Sequence, residues 1–157
     1  MKGIIGFTIL ACTLSLASSL RVRRGAEEDN IREAVFRYGV RHDCSQLEGR
    51  GVFFLSVGTE HDEDPSDGFM KRFVERKPVV RKASRAKTGS GGLIEDKETG
   101  ELGVILSAKT IKWVDDTHVE VEVECYESSS IAASDTYLVE KRGDRWTVSK
   151  VVNHWVS

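Results

Sequence analysis

The segment HVEVEVECY, residues 118–126, decides the fold, because valine and glutamate alternate along it without interruption. Successive side chains of a β-strand point to opposite faces of the sheet, so Val119, Val121 and Val123 share one face and the glutamates the other. A sheet with one buried face and one solvated face is typically antiparallel. The segment therefore predicts a strand of an antiparallel sheet.

The sequence around this strand predicts the rest of a meander. Period-two patterns separated by turn residues predict further strands. The turns fall at residues 115–117, 128–134 and 142–144, and glycine-rich turns precede the meander. The predicted strands are residues 52–57, an edge-like strand at 78–86, and residues 103–114, 135–141 and 145–156.

Two helices are predicted before the meander. Apolar residues recur at helical spacing from Ile31 to Tyr38, including Ala34 and Val35. In the second helix Asp64 is the expected N-cap, and Pro65 occupies the first helical position. Phe69, Met70 and Phe73 form the apolar stripe of that helix. Helices followed by a long meander predict an α+β domain, with N-terminal helices packed on a curled antiparallel sheet.

The first 19 residues have the pattern of a secretory signal peptide. Lys2 supplies the positive charge, residues 4–16 are largely apolar, and residues 17–19 are small. We therefore expect a signal peptide at 1–19, a basic flank at 20–26 and a single domain at 27–157. The mature protein is expected to be secreted, in the periplasm or outside the cell.

Other interpretations of this amino terminus stay open. The leader is also compatible with a membrane anchor, although its polar residues disfavour one. Residues 9–12 resemble a lipobox, in which cleavage before Cys12 leaves a lipid-anchored protein; membrane association is expected only in that case. Residues 21–24 resemble a dibasic processing site that ends at Arg24.

Composition limits the classes of partner. The 157 residues include 23 lysines and arginines and 25 aspartates and glutamates, for a net charge of -2. Removal of residues 1–19 takes away Lys2 and no acid, which leaves 22 minus 25, or -3. This charge argues against a uniformly basic nucleic-acid binder. The acidic run at 60–64 lacks the ligand pattern of an EF-hand loop, so no metal and no cofactor is predicted.

Two cysteines remain after removal of the leader. Cys44 lies in a polar turn, and Cys125 continues the inward phase of its strand. In an oxidising compartment an even pair is read most simply as a disulfide, with two buried thiols as the alternative.

Residues 71–87 form a basic stretch, with eight lysines and arginines against one glutamate. Within it Arg81, Lys82 and Arg85 are the candidate anion-binding residues, and an anionic surface is one expected partner. The alternative is a solvated charged face.

The order of these segments resembles a family of known fold. It is similar to that of poorly characterised, mostly bacterial secreted proteins. The segments that carry the resemblance are the helix at 31–38, the strand at 53–57, the helix start at 64–67, the segment 78–84 and the terminal segments 145–148 and 154–157. Those proteins look like members of the cystatin-like or nuclear-transport-factor-2-like fold class. The resemblance implies a cone-shaped sheet whose mouth binds small ligands, and some members of the class are enzymes.

The sequence lacks the Gln-x-Val-x-Gly hairpin of cystatin inhibitors, since Gln46 is the only glutamine. We therefore expect a secreted, noncatalytic binding or interaction domain whose partner is a small molecule or an anionic surface. The alternative is a small-molecule isomerase, dehydratase or hydrolase with its site inside the cone, for which His118 and His154 are the candidate catalytic residues. No segment marks a dimer interface, so the oligomeric state is not predicted.

Overall fold

The computed structural model of the protein describes residues 8–42, 51–59, 61, 63–74, 78–128 and 131–156, with side chains from Arg24 to Val152 within these ranges. Its two α-helices are α1 (Thr8–His42) and α2 (Asp67–Met70). Three 3-10 turns follow, at Lys71–Phe73, Ala83–Arg85 and Ser90–Gly92. The strands are β1 (Val52–Ser56), β2 (Val79–Lys82), β3 (Ala86–Thr88), β4 (Ile94–Asp96), β5 (Gly103–Trp113), β6 (His118–Ser128), β7 (Ile131–Arg142) and β8 (Arg145–Val156).

The main sheet has six strands in the order β2-β1-β5-β6-β7-β8. Strands β5 to β8 form the expected antiparallel meander. Strand β1, however, runs parallel to both of its neighbours, β2 and β5, so the sheet is mixed and not wholly antiparallel. Parallel pairing requires a long crossover, and the connections from β1 to β2 and from β1 to β5 are both long enough to provide one.

One face of the sheet carries the larger core. Ile31 and Val35, two of the apolar positions expected on the first helix, are fully buried there with Leu106 of β5 and Val121 of β6. Ala34 and Tyr38 pack against the same cluster. A Cβ atom on Gly39 of α1 would lie 3.0 Å from Leu106 Cδ2, so the helix backbone passes close to the sheet at this residue.

The other face carries a smaller core. Strands β3 and β4 form a two-stranded antiparallel sheet, and Ile94 of β4 joins Val52, Phe54 and Ile105 in a second, smaller core cluster. In the alternating segment the three valines are buried, whereas Glu122 is exposed and the other glutamates are half-buried. The prediction of one buried and one wetter face is confirmed for this strand.

The second helix begins later than predicted. Its N-cap is Ser66, whose hydroxyl accepts a hydrogen bond from the Phe69 N–H. The carboxylate of Asp64 instead accepts hydrogen bonds from the backbone N–H and the hydroxyl of Ser84. Asp64 and Ser66 are both good caps, and the contact with the distant Ser84 decides between them.

Two further predictions concern the same region. Phe69 and Phe73 are buried and Met70 packs against the larger core, as the apolar stripe predicted. The predicted strand at 78–86 is at the sheet edge, as expected, but the turn Ala83–Arg85 interrupts it and separates β2 from β3.

Glu27, near the middle of α1, connects the helix to the sheet. Its carboxylate accepts hydrogen bonds from Lys141 Nζ at 2.6 Å and from Trp146 Nε1 at 2.8 Å. The Trp146 ring packs edge-on against Trp113, and the Arg24 guanidinium lies 5.0 Å from the Trp113 ring centroid.

Helix α1 runs without a break from Thr8 across residues 8–19 of the expected signal peptide and the basic flank. The signal peptide at 1–19 and processing at Arg24 therefore stay predictions. Among the residues described, no helix is both long and apolar enough to cross a membrane.

Candidate functional site

A groove of about 720 Å³ opens between the second half of α1 and the start of β8. We call it the α1–β8 groove. Helix residues one turn apart line one wall, and residues 144–148 of the β7–β8 turn and β8 line the other. Gly143, with φ of +61°, forms the tight turn that starts this second wall. The groove therefore lies where two elements distant in sequence meet.

The arginines that line the groove differ in their partners. Arg37 forms an ion pair with Glu33 at 2.6 Å and donates a hydrogen bond to the Arg72 carbonyl. Glu33 also pairs with Arg72 at 2.9 Å, so its negative charge is already compensated. Arg41 and Arg145 are exposed and, within the described residues, neither forms an ion pair.

The groove also has aromatic walls. Trp146 is only 6% exposed and contributes a rigid surface. Tyr38 packs edge-on against Tyr137, with ring centroids 5.3 Å apart, and its other neighbour is the His42 ring at 4.5 Å. The guanidinium groups of Arg41 and Arg145, which form no ion pair within the described residues, lie in the same groove as these aromatic rings. Such a groove is suited to a ligand with a negative charge and a planar or apolar part.

The three residues predicted to bind anions are occupied by carboxylates of the protein itself. Arg81 and Arg85 both pair with Asp96, at 2.5 and 3.2 Å, and Lys82 pairs with Asp67 at 2.6 Å. The net positive charge of residues 71–87 is therefore partly neutralised in the folded protein, because Asp67 and Asp96, which lie outside that stretch, form ion pairs with it.

The Asp96 side chain is fully buried at the centre of this arrangement. Burial by itself would raise the pKa of Asp96. Hydrogen bonds from the Thr99 and Glu98 N–H groups and from Arg81 and Arg85 outweigh that effect, so the pKa lies well below its ordinary value. Arg81 and Arg85 therefore compensate a buried structural charge.

The structure places the two candidate catalytic histidines on the long strands. His118 starts β6 at an exposed turn, where its Nδ1 atom lies 2.9 Å from Asp115 Oδ2, and its side chain is 54% exposed. The Thr117 N–H, with further help from His118, lowers the pKa of Asp115 to about 2. His154 lies opposite Asp135 in the β7–β8 register, but its side chain is outside the described residues. His118 thus lies on the surface, whereas the enzyme alternative requires it inside the cone.

Only one cysteine of the predicted disulfide lies within the described residues. Cys125 lies on β6 and packs against the larger core. Cys44 is outside the described residues, so the Cys44–Cys125 bond stays a prediction.

A second group of polar residues, on the opposite face of the sheet from α1, was not predicted. His61 stacks on Tyr126 with ring centroids 4.7 Å apart, and its two ring nitrogens approach Ser107 and Glu124. His61 and Tyr126 also line a cavity of about 460 Å³, called here the His61 cavity. The period-two pattern gives the face of each strand residue, but the position of the His61 loop depends on long-range contacts that no local pattern reveals.

Comparisons of the chain with known protein families, with curated proteins and with solved structures find no match.

Proposed function

We propose that this protein is a secreted binding domain that holds an anionic ligand in the α1–β8 groove. One observation supports this above all: Arg41 and Arg145 line the same groove from two different elements without a carboxylate partner among the described residues. A guanidinium group is always charged at physiological pH and binds carboxylate or phosphate oxygens in pairs.

The other groups in the groove favour the same ligand chemistry. Glu33 is compensated by Arg37 and Arg72, which leaves Asp144 as the acid in the lining that has no ion pair within the described part of the chain. Among the described lining residues without an ion pair there are therefore two cations, Arg41 and Arg145, and one acid, Asp144. The aromatic walls supply an apolar surface against which the rest of a small ligand packs.

The secreted location and the cone-shaped fold are part of the proposal. The charge and apolar pattern of residues 1–19 support secretion. The groove between a helix and the sheet supports the cystatin-like or nuclear-transport-factor-2-like class, since a ligand site between helix and sheet is what that resemblance implies. An anchor through Cys12 is the alternative for the amino terminus.

The enzyme alternative for this groove has less support. An isomerase, dehydratase or hydrolase needs an acid or base directed at the ligand. Among the described side chains, His42 is the histidine in the groove lining, and its ring packs on Tyr38. Binding without chemistry is therefore the function that we propose for this groove.

Retention on an immobilised sulfated polysaccharide such as heparin, eluted with a salt gradient, tests the proposal. We expect the double variant Arg41→Ser/Arg145→Ser to elute at clearly lower salt than the unmodified protein, because both cations of the groove are lost. Lys82→Ser should elute unchanged, since Lys82 already has Asp67 as its partner.

The matched control is the double variant Lys71→Ser/Lys150→Ser. It removes the same two charges from exposed residues that do not line the groove. If both double variants shift equally, retention reports overall charge alone and the groove is not the binding site.

A further inference from the structure

A serine, a histidine and a glutamate from three distant segments meet beside the His61 cavity. Ser107 of β5 and Glu124 of β6 are directly opposite each other in the antiparallel register. His61 Nδ1 lies 3.4 Å from Ser107 Oγ, and His61 Nε2 lies 3.4 Å from Glu124 Oε1. The imidazole therefore bridges a hydroxyl and a carboxylate.

The surroundings hold this group in a defined orientation. The Tyr126 ring stacks on His61 at an interplanar angle of 22°, which fixes the plane of the imidazole. Lys109 forms an ion pair with Glu124. With the carboxylate accepting the Nε2 proton, Nδ1 is left as the basic nitrogen, and it is the nitrogen that faces the serine hydroxyl.

We propose that Ser107, His61 and Glu124 form a hydrolytic site of the acyl-transfer class, separate from the α1–β8 groove. Ser107 Oγ is the nucleophile, His61 accepts its proton, and Glu124 orients and stabilises the imidazolium. The Ser107 Oγ–acyl bond forms, the bond from the acyl carbon to the leaving oxygen breaks, and His61 returns the proton to that oxygen. Water then cleaves the acyl-serine to a carboxylic acid and restores the hydroxyl.

The adjacent cavity indicates the substrate class. The apolar side chains of Ala83, Ala86, Ile94 and Ile105 line it together with Lys87 and Thr88, beside His61 and Tyr126. A volume of about 460 Å³ suits a small ester with an apolar acyl group.

Reaction requires a local opening at Ser107. Ser107 is fully buried, whereas the His61 side chain is 35% exposed and lines the cavity. The proposal therefore requires an opening that admits an acyl group to the hydroxyl while the imidazole stays within reach of it. Catalytic hydrogen bonds often tighten only when substrate is bound, and the two 3.4 Å distances leave room for that.

The experiment treats the full chain with a fluorophosphonate probe and, separately, with 4-nitrophenyl acetate. In the first reaction the Ser107 Oγ–P bond forms and fluoride leaves. We expect peptide mass spectrometry to find the phosphonyl group on Ser107, and Ser107→Ala to abolish it. Release of 4-nitrophenolate should fall about 100-fold or more in His61→Gln and at least about tenfold in Glu124→Gln.

The control is Ser149→Ala, which removes an exposed serine of β8 and should leave labelling and hydrolysis unchanged. Absence of the phosphonyl group from Ser107 in the unmodified protein overturns the proposal without reliance on any variant. Hydrolysis that persists in Ser107→Ala at the original rate overturns it as well.

Discussion

Glu27 is the acidic residue that joins α1 to the last hairpin of the sheet. Hydrogen bonds from Lys141, and next from Trp146, lower its pKa from 4.5 to about 2. A carboxylate with a lower pKa in the folded protein contributes stability above its unfolded pKa, and that stability is lost as the pH falls through the folded pKa. The contribution of Glu27 should therefore be complete above about pH 4.5 and disappear towards pH 2.

We predict that Glu27→Gln lowers the free energy of unfolding by about 1.5–3 kcal/mol at pH 7, because two hydrogen bonds to a charged group are weakened. The difference from the unmodified protein should shrink as the pH is lowered from 4.5 to 2. Urea denaturation at a series of pH values measures both effects. Glu28→Gln is the control, since it breaks a surface pair with Arg32 worth about 0.5 kcal/mol or less. A pH-independent difference for Glu27→Gln would contradict the assignment.

Asp96 supports a second prediction. Because its buried carboxylate compensates both Arg81 and Arg85, Asp96→Asn should destabilise the protein by about 3 kcal/mol. Thermal denaturation measures the loss. Asp67→Asn, which removes the exposed partner of Lys82, is the matched control and should leave the melting temperature nearly unchanged. Equal effects of the two variants would mean that burial of Asp96 does not matter.

The same residues show how far the sequence predicts ion pairs. The charge count identified Arg81, Lys82 and Arg85 as a basic cluster, and in the structure Arg81 and Lys82 lie on β2 and Arg85 on the turn that follows it. Their partners Asp67 and Asp96 lie on α2 and β4, which the local count does not include. Pairing depends on tertiary contacts, so local charge alone overestimated the free positive charge.

At the scale of elements, the approach of α1 to the sheet depends on Gly39. Gly39→Val should lower the free energy of unfolding by about 1–3 kcal/mol, because the new side chain would collide with Leu106 and approach Tyr137. Gly25→Val makes the same change in the same helix where no atom lies within 4 Å, and it isolates the effect of helix propensity. Denaturation of the two variants side by side gives the comparison. Equal losses would show that helix propensity, and not close packing, sets the cost.

The strands were the elements most accessible to prediction. Alternation is regular in residues 118–126, and both this segment and the predicted strand at 145–156 are strands in the structure, β6 and β8. Strand β4 was missed, since three residues are too few to show a period. The parallel pairing of β1 was missed because alternation gives the face of a side chain but not the direction of the neighbouring strand.

At the scale of the whole molecule, two candidate sites occupy opposite faces of one sheet. The α1–β8 groove lies on the face that α1 covers, and the His61 cavity lies beside the smaller core cluster. Sequence patterns predicted the strands that carry Ser107, Glu124 and Arg145. They did not predict the two sites, because each site needs a helix or loop brought onto the sheet by contacts between residues far apart in the chain.

The last prediction concerns where the folded domain begins. Arg24 and Glu27 contact Trp113, Asp116, Lys141 and Trp146, so a chain that starts at residue 20 keeps these contacts and one that starts at residue 28 loses them. We expect the shorter chain to be less stable by about 2–4 kcal/mol, the sum of one cation–π contact and the Glu27 hydrogen bonds. Urea denaturation of both chains measures the difference, and Glu27→Gln in the longer chain should reproduce most of it. Equal stability of the two chains would contradict the prediction. If the chain starting at residue 20 is clearly less stable than the full chain in the same assay, the residues of the expected signal peptide stabilise the domain, and the boundary at residue 19 is wrong.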